Sequence, residues 1–71
     1  MTASEWLTAY AERLGTTAPT PEEVEAVLAL AGVAAHSSER IAAPVACWIA
    51  ARAGVELPDA MTAAQEIGSG A

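Results

Sequence analysis

The sequence predicts an all-α fold, a small compact bundle of four short helices, and three observations predict it. Apolar residues recur at spacings of three and four, the period of one helix face. Helix start and stop chemistry brackets these runs: Thr with Glu three residues on, Pro at a first helical position, Gly at an end. No stretch alternates apolar and polar residues as a half-buried strand would, and no repeat or Gly-rich phosphate loop breaks the pattern.

The first helix is expected over about residues 3–14. The Thr2 hydroxyl can accept from backbone N–H groups, and Glu5 completes a capping box. Trp6, Leu7, Tyr10 and Leu14 then form an apolar stripe, and Gly15 supplies a left-handed stop. Residues 16–20, with Pro19, read as a linker. The second helix is expected over about 21–35: Thr20 caps it, Pro21 takes the first position and Glu23 closes the box. Glu22, Glu23 and Glu25 sit at the positive end of the helix dipole. Val24, Val27, Leu28 and Ala31 form its expected buried face, and Gly32 is either its end or an interior residue.

The third helix is expected over about 38–53, with Ser37 or Ser38 as cap, Ile41, Val45, Trp48, Ile49 and Arg52 at helical spacing, and Gly54 as stop. Pro44 complicates it. Inside a helix, proline lacks the N–H and clashes with the carbonyl four residues back, a cost of ~3 kcal/mol or more. The helix therefore either begins at Ala42 or Ala43 with Pro44 in its first turn, the cheaper arrangement, or kinks. The fourth helix is expected over about 59–67 after Leu57-Pro58, with Ala60, Met61, Ala64 and Ile67 inward and residues 68–71 as a frayed tail.

Composition bounds what such a chain can do. Seventy-one residues make one domain, and a chain of this size hides only about 60% of its unfolded surface. The hydrophobic fraction is 54%, but much of it is Ala and there is no Phe. Trp6, Tyr10 and Trp48 are thus expected to supply most of the core bulk, and a protein partner or a homo-oligomer is expected to supplement it. The net charge is -6, with only Arg13, Arg40 and Arg52 positive; such a surface repels phosphate backbones and anionic headgroups, so no nucleic acid and no membrane surface is expected as partner. One Cys makes no internal disulfide, and no Cys/His spacing fits a zinc site. Glu5 and Glu12 argue against a signal peptide, and the low-charge run 41–51 is far shorter than the ~20 residues of a membrane span. A cytoplasmic location is expected.

The scarce chemistry concentrates between residues 35 and 48, which hold the only His, one of the three Arg, the only Cys and Pro44. At helical pitch His36, Arg40, Ala43 and Cys47 fall on one stripe. His36 and Arg40 could clamp a carboxylate or phosphate, with Ser37 and Ser38 adding hydroxyls and helix-start N–H groups. The competing structural reading has Arg40 paired with a nearby carboxylate and His36 ending a helix. Cys47 reads as a small apolar residue; His36 is three turns away, too far to take its proton. The acids at 22, 23 and 25 are accounted for by capping and the helix dipole, without acid–base work. No catalytic, metal or cofactor site emerges, so the expected function is non-catalytic. The site proposed for a ligand or partner is His36, Ser37 and Arg40.

The series Ala35-His36-x3-Arg40-x2-Ala43-Pro44-x3-Trp48-Ile49-x2-Arg52-Ala53-Gly54 resembles a small actinobacterial domain of unknown function, over residues 33–54 with a compatible acidic helix before them. That domain occurs alone or beside the nucleotidyltransferase that makes molybdopterin-guanine dinucleotide. Ile41 and Trp48 depart from it, standing where polar or basic residues and a Phe are usual. The resemblance implies a link to molybdenum cofactor handling: an accessory module that binds an enzyme of cofactor assembly or a molybdenum-dependent oxidoreductase. The alternatives are a small anionic-ligand sensor using His36 and Arg40, and a self-associating structural subunit.

Overall fold

The structure, a computed structural model, describes residues 1–69. It is all-α, a small bundle of four short helices: α1 Ala3–Leu14, α2 Pro21–Ser37, α3 Ala42–Ala53 and α4 Leu57–Gly68. Both capping boxes form. The Thr2 hydroxyl accepts from the Glu5 N–H at 3.1 Å, and the Glu5 carboxylate accepts from the Thr2 N–H at 2.7 Å. Thr20 and Glu23 repeat the arrangement at 3.1 and 2.8 Å. Capping holds the Glu5 carboxyl below its ordinary range, first through the Thr2 backbone N–H and then through the Thr2 hydroxyl, because both contacts favour the charged form. Gly15 and Gly54 close α1 and α3 with φ of 79° and 73°, a left-handed conformation that costs glycine nothing sterically.

Four boundaries differ from the expected ones. Helix α2 passes through Gly32 and ends at Ser37, two residues beyond 35. Helix α3 begins at Ala42 with Pro44 in its first turn, the cheaper of the two expected arrangements, four residues after the outer bound of 38. Ser37 and Ser38 terminate α2 instead of starting α3, and the Ser38 hydroxyl donates back to the Ala34 carbonyl at 2.8 Å. Pro44 is the physical reason. At the third position of α3 its missing N–H has no intrahelical partner to lose, and the Arg40 carbonyl is occupied instead by the Ala43 N–H at 3.1 Å. The Ala42 N–H similarly reaches the Glu39 carbonyl at 3.0 Å. Helix α4 begins at Leu57, two residues before the expected 59, because Pro58 fits its first turn and Glu56 takes the extended cap conformation. Of the expected frayed tail, Gly68 completes α4 and Ser69 caps it, donating its N–H to the Gln65 and Ile67 carbonyls; residues 70–71 lie outside the described residues.

Helix α2 is the centre of the arrangement, with α3 and α4 both packed on it. Leu30, only 3% exposed, is the one large side chain buried there. Cys47 of α3 faces α2, its thiol donating weakly to the Val27 carbonyl at 3.8 Å. Gly68 lies against the end of α2, where an added Cβ would come within 2.5 Å of Ser37 Oγ and 3.4 Å of Ser37 Cβ. The ends of α2 and α4 are therefore together, so these helices run in the same direction. Helix α1 meets the start of α2 across an open groove of about 470 Å³, bounded by Leu7 and Thr8 on one side and Pro21 and Val24 on the other.

The expected aromatic core is not where the aromatic residues are. Among the described residues, only Ala11, Leu30 and Ala60 of the hydrophobic residues are buried, while Trp6 is 52% and Trp48 58% exposed. Tyr10 and Leu14 are exposed with Trp6, and Ile67, expected inward, is 76% exposed. On α2 the buried position is Leu30, not Leu28, which is 64% exposed. Val24, Val27 and Ala31 of the expected stripe are half-buried, and α3 and α4 pack on the side of α2 where Leu30, not Leu28, completes it.

Candidate functional site

His36, Ser37 and Arg40 all belong to the joint between α2 and α3, and all three are exposed. Their local chemistry is not one stripe. His36 is in the last turn of α2, where a cation complements the negative end of the helix dipole. Arg40 lies in the turn that precedes α3. The helix break at residues 38–41 removes the one-turn spacing expected of His36 and Arg40 and takes Ala43 and Cys47 onto a different helix. Of the competing structural reading, His36 does end a helix, and both side chains are open to solvent rather than buried between helices. The joint presents an imidazole and a guanidinium to solvent on a chain of net charge -6.

Ser37 has a different task from the one expected. Its hydroxyl lies against Gly68, where the end of α2 meets the end of α4. Ser38, beside it, is engaged with the Ala34 carbonyl. A shallow groove of about 250 Å³ lies next to them, lined by Ala34, Ser37, Ser38, Ala46, Ala64 and Ile67. Neither His36 nor Arg40 lines it. The site residues thus divide into an exposed His/Arg pair and a serine that packs helices together.

Cys47 is half-buried against α2, in the position of a packing residue. No group of three or more His, Cys, Asp or Glu side chains is placed to hold a metal ion among the described residues. No helix among them is long and apolar enough to cross a membrane.

The larger surface feature is one that periodicity revealed without revealing its exposure. Helix α3 puts its small residues, Ala42, Ala43, Ala46, Cys47 and Ala50, on the half-buried side toward α2. Its bulky residues, Val45, Trp48 and Ile49, are on the opposite side and exposed, continued by Ile41. The Arg52 guanidinium lies over the Trp48 ring, 4.3 Å from its centroid, a cation–π contact. A second exposed aromatic pair lies on α1, where Trp6 and Tyr10 stack at 4.9 Å. Small-side-in packing follows from the sequence, since an Ala/Cys stripe lets α3 approach α2 closely, but it leaves the large side chains outside.

Residues 1–69 match the model of a family described as a domain of unknown function (DUF6457). No curated protein and no solved structure matches the chain.

Proposed function

The chain belongs to the DUF6457 family, a domain of unknown function, and on that premise we propose that it is a helical interaction module with no catalytic centre of its own. One observation carries this reading: both Trp residues, Tyr10 and the bulky side of α3 are exposed, while Leu30 is the only large side chain buried among the described residues. Soluble chains that work alone rarely expose contiguous apolar surface, and large exposed patches are characteristic of docking surfaces. The exposed His36–Arg40 joint adds a cationic recognition point on an acidic chain, suited to a partner's carboxylates or to a phosphate.

The finer reading names the partner. The resemblance of residues 33–54 to a domain found beside the nucleotidyltransferase of molybdopterin-guanine dinucleotide synthesis supports an enzyme of molybdenum cofactor assembly or a molybdenum-dependent oxidoreductase. The family description itself names no pathway.

Affinity purification of the tagged chain from its native host tests this reading, with His36→Ala/Arg40→Ala in parallel. The expected result is a stoichiometric protein partner whose recovery falls in the double variant. Equal recovery removes the joint from the interface. A thermal-shift screen against pterins, nucleotides and oxyanions tests the anion-sensor alternative: stabilisation by a small anion, lost in the double variant, would replace the protein-partner reading.

A further inference from the structure

We propose that the groove between α1 and α2 is a docking site for a short basic segment of a partner protein, which sets an apolar side chain between Leu7 and Val24 and a lysine or arginine against Glu25. This inference rests on the interaction-module reading and uses a different surface from the His36–Arg40 joint.

Shape makes the first argument. The groove holds about 470 Å³; Leu7, Pro21 and Val24 make it mainly apolar, and Ser4, Thr8 and Glu25 are its polar members. That volume is in the range of a ligand site. The groove is open to solvent, however, so a small molecule in it would keep one face in water, whereas a protein segment covers it. Trp6 and Tyr10 each follow a lining residue, Ala3 or Leu7, by three positions and therefore flank the groove. Both rings are exposed and stacked on each other, which gives an occupant longer than the groove an aromatic shoulder.

Charge names the occupant. The Glu5 and Glu23 carboxylates are spent on their own helix caps, and Glu22 lies in the first turn of α2, where the helix dipole favours it. Glu25 is beyond that turn, where the dipole effect has fallen off, and no basic side chain lines the groove with it. The Thr8 hydroxyl donates to the Ser4 carbonyl at 2.9 Å, so toward the groove it has only lone pairs to offer. A carboxylate and an acceptor hydroxyl without a cation repel an anion and pair with a positively charged donor. A lysine or arginine supplies that donor, and its methylene stem covers apolar wall on the way. A second copy of this chain is a poor source of such a segment, with three basic residues against nine acids.

A titration of the ¹⁵N-labelled full chain, followed by amide chemical shifts, tests the assignment. The probe is a blocked Ala-Leu-Lys-Leu-Ala peptide, with the same peptide carrying Glu for Lys as its counterpart. The lysine peptide is expected to move the amides of Leu7, Thr8, Val24 and Glu25 and to saturate in the millimolar range. Glu25→Gln is expected to weaken it about three- to fivefold, the effect of one partly exposed ion pair. Glu22→Gln removes the same charge outside the lining and is expected to leave binding unchanged, and the spectra themselves check that both variants are folded. No saturable shift, shifts centred elsewhere, equal affinity in Glu25→Gln, or equal affinity for the glutamate peptide overturns the proposal. n-Hexylamine binding as tightly as the peptide overturns the protein segment and gives the groove to free amines. Failure here, with a host partner still recovered through His36 and Arg40, defeats this inference and leaves the interaction-module reading standing. Peptide binding at the groove with no host partner recovered does the reverse.

Discussion

Replacing Leu30 by Ala tests the placement of the core on one side of α2. Leu30 is 3% exposed and Leu28, two residues before it on the same helix, is 64% exposed. Leu→Ala removes three carbon groups at either position, worth about 2.4 kcal/mol if fully buried. The unfilled space left at Leu30 raises the cost to about 3–4 kcal/mol. At Leu28 only about a third of the side chain is removed from water, so the cost is about 0.9 kcal/mol by the same area argument. Both changes have the same effect on helix propensity, so their difference isolates burial. The assay is urea unfolding followed by circular dichroism at one fixed protein concentration. With a slope near ~1 kcal/mol per molar urea for so small a chain, Leu30→Ala should lower the midpoint by about 3 M and Leu28→Ala by less than about 1 M. Chains of this length are typically stable by only about 4–11 kcal/mol, so the first variant loses a large share of the total. Equal shifts, or a larger one at Leu28, would refute the assignment of the core to the Val27–Leu30–Ala34 side.

Three further outcomes follow from local geometry. Thr20→Ala removes the hydroxyl that accepts from the Glu23 N–H and should cost about 1 kcal/mol in urea unfolding; no measurable change would mean that α2 does not depend on its cap. Glu5 has a lowered folded-state pKa, so its contribution is complete above its unfolded value of about 4.5 and is lost as pH falls through the folded value. Amide exchange in the first turn of α1 should therefore accelerate over that acidic window, beyond the intrinsic pH dependence, in the wild type and not in Glu5→Gln. A similar profile in both would remove Glu5 as the cause. Finally, Gly68→Ala should be tolerated better in a Ser37→Ala chain than in the wild type by about 0.5 kcal/mol or more, since the new Cβ meets Ser37 Oγ at 2.5 Å. A double-mutant cycle with zero coupling would show that Ser37 is not the contact.

What the sequence made legible was the local chemistry. Thr2 with Glu5 and Thr20-Pro21 with Glu23 mark helix starts within three or four residues, and Gly15 and Gly54 mark stops by their left-handed backbone. The all-α class followed from these. The α2–α3 boundary was harder, because Ser37 and Ser38 have the composition of N-caps yet sit at a C-terminus. Pro44 decided the matter, fixing the helix start just before itself while α2 continued through Gly32. The direction of burial was only partly legible on α2, where Val24, Val27 and Ala31 are half-buried as expected but Leu30 and not Leu28 is the most buried residue, and it was not legible on α3. Both are so rich in Ala and Val that apolar residues occupy every side, and periodicity then leaves the preferred face loosely set. On α3 the packing chose the small side, which placed Trp48 outside. The candidate site shared this fate: the spacing of His36 and Arg40 was visible, but the turn between them and the packing role of Ser37 depend on α4.

The claim that the exposed apolar surface is covered in the working molecule is tested most directly by the fluorescence of Trp48, made the sole tryptophan by Trp6→Phe and titrated with the host protein that co-purifies with the chain. Emission should shift to the blue as that partner saturates the chain and covers Trp48. Solvent-exposed emission at every concentration would contradict the account, because Trp48 would then remain as open to water as it is on the single chain, where it is 58% exposed.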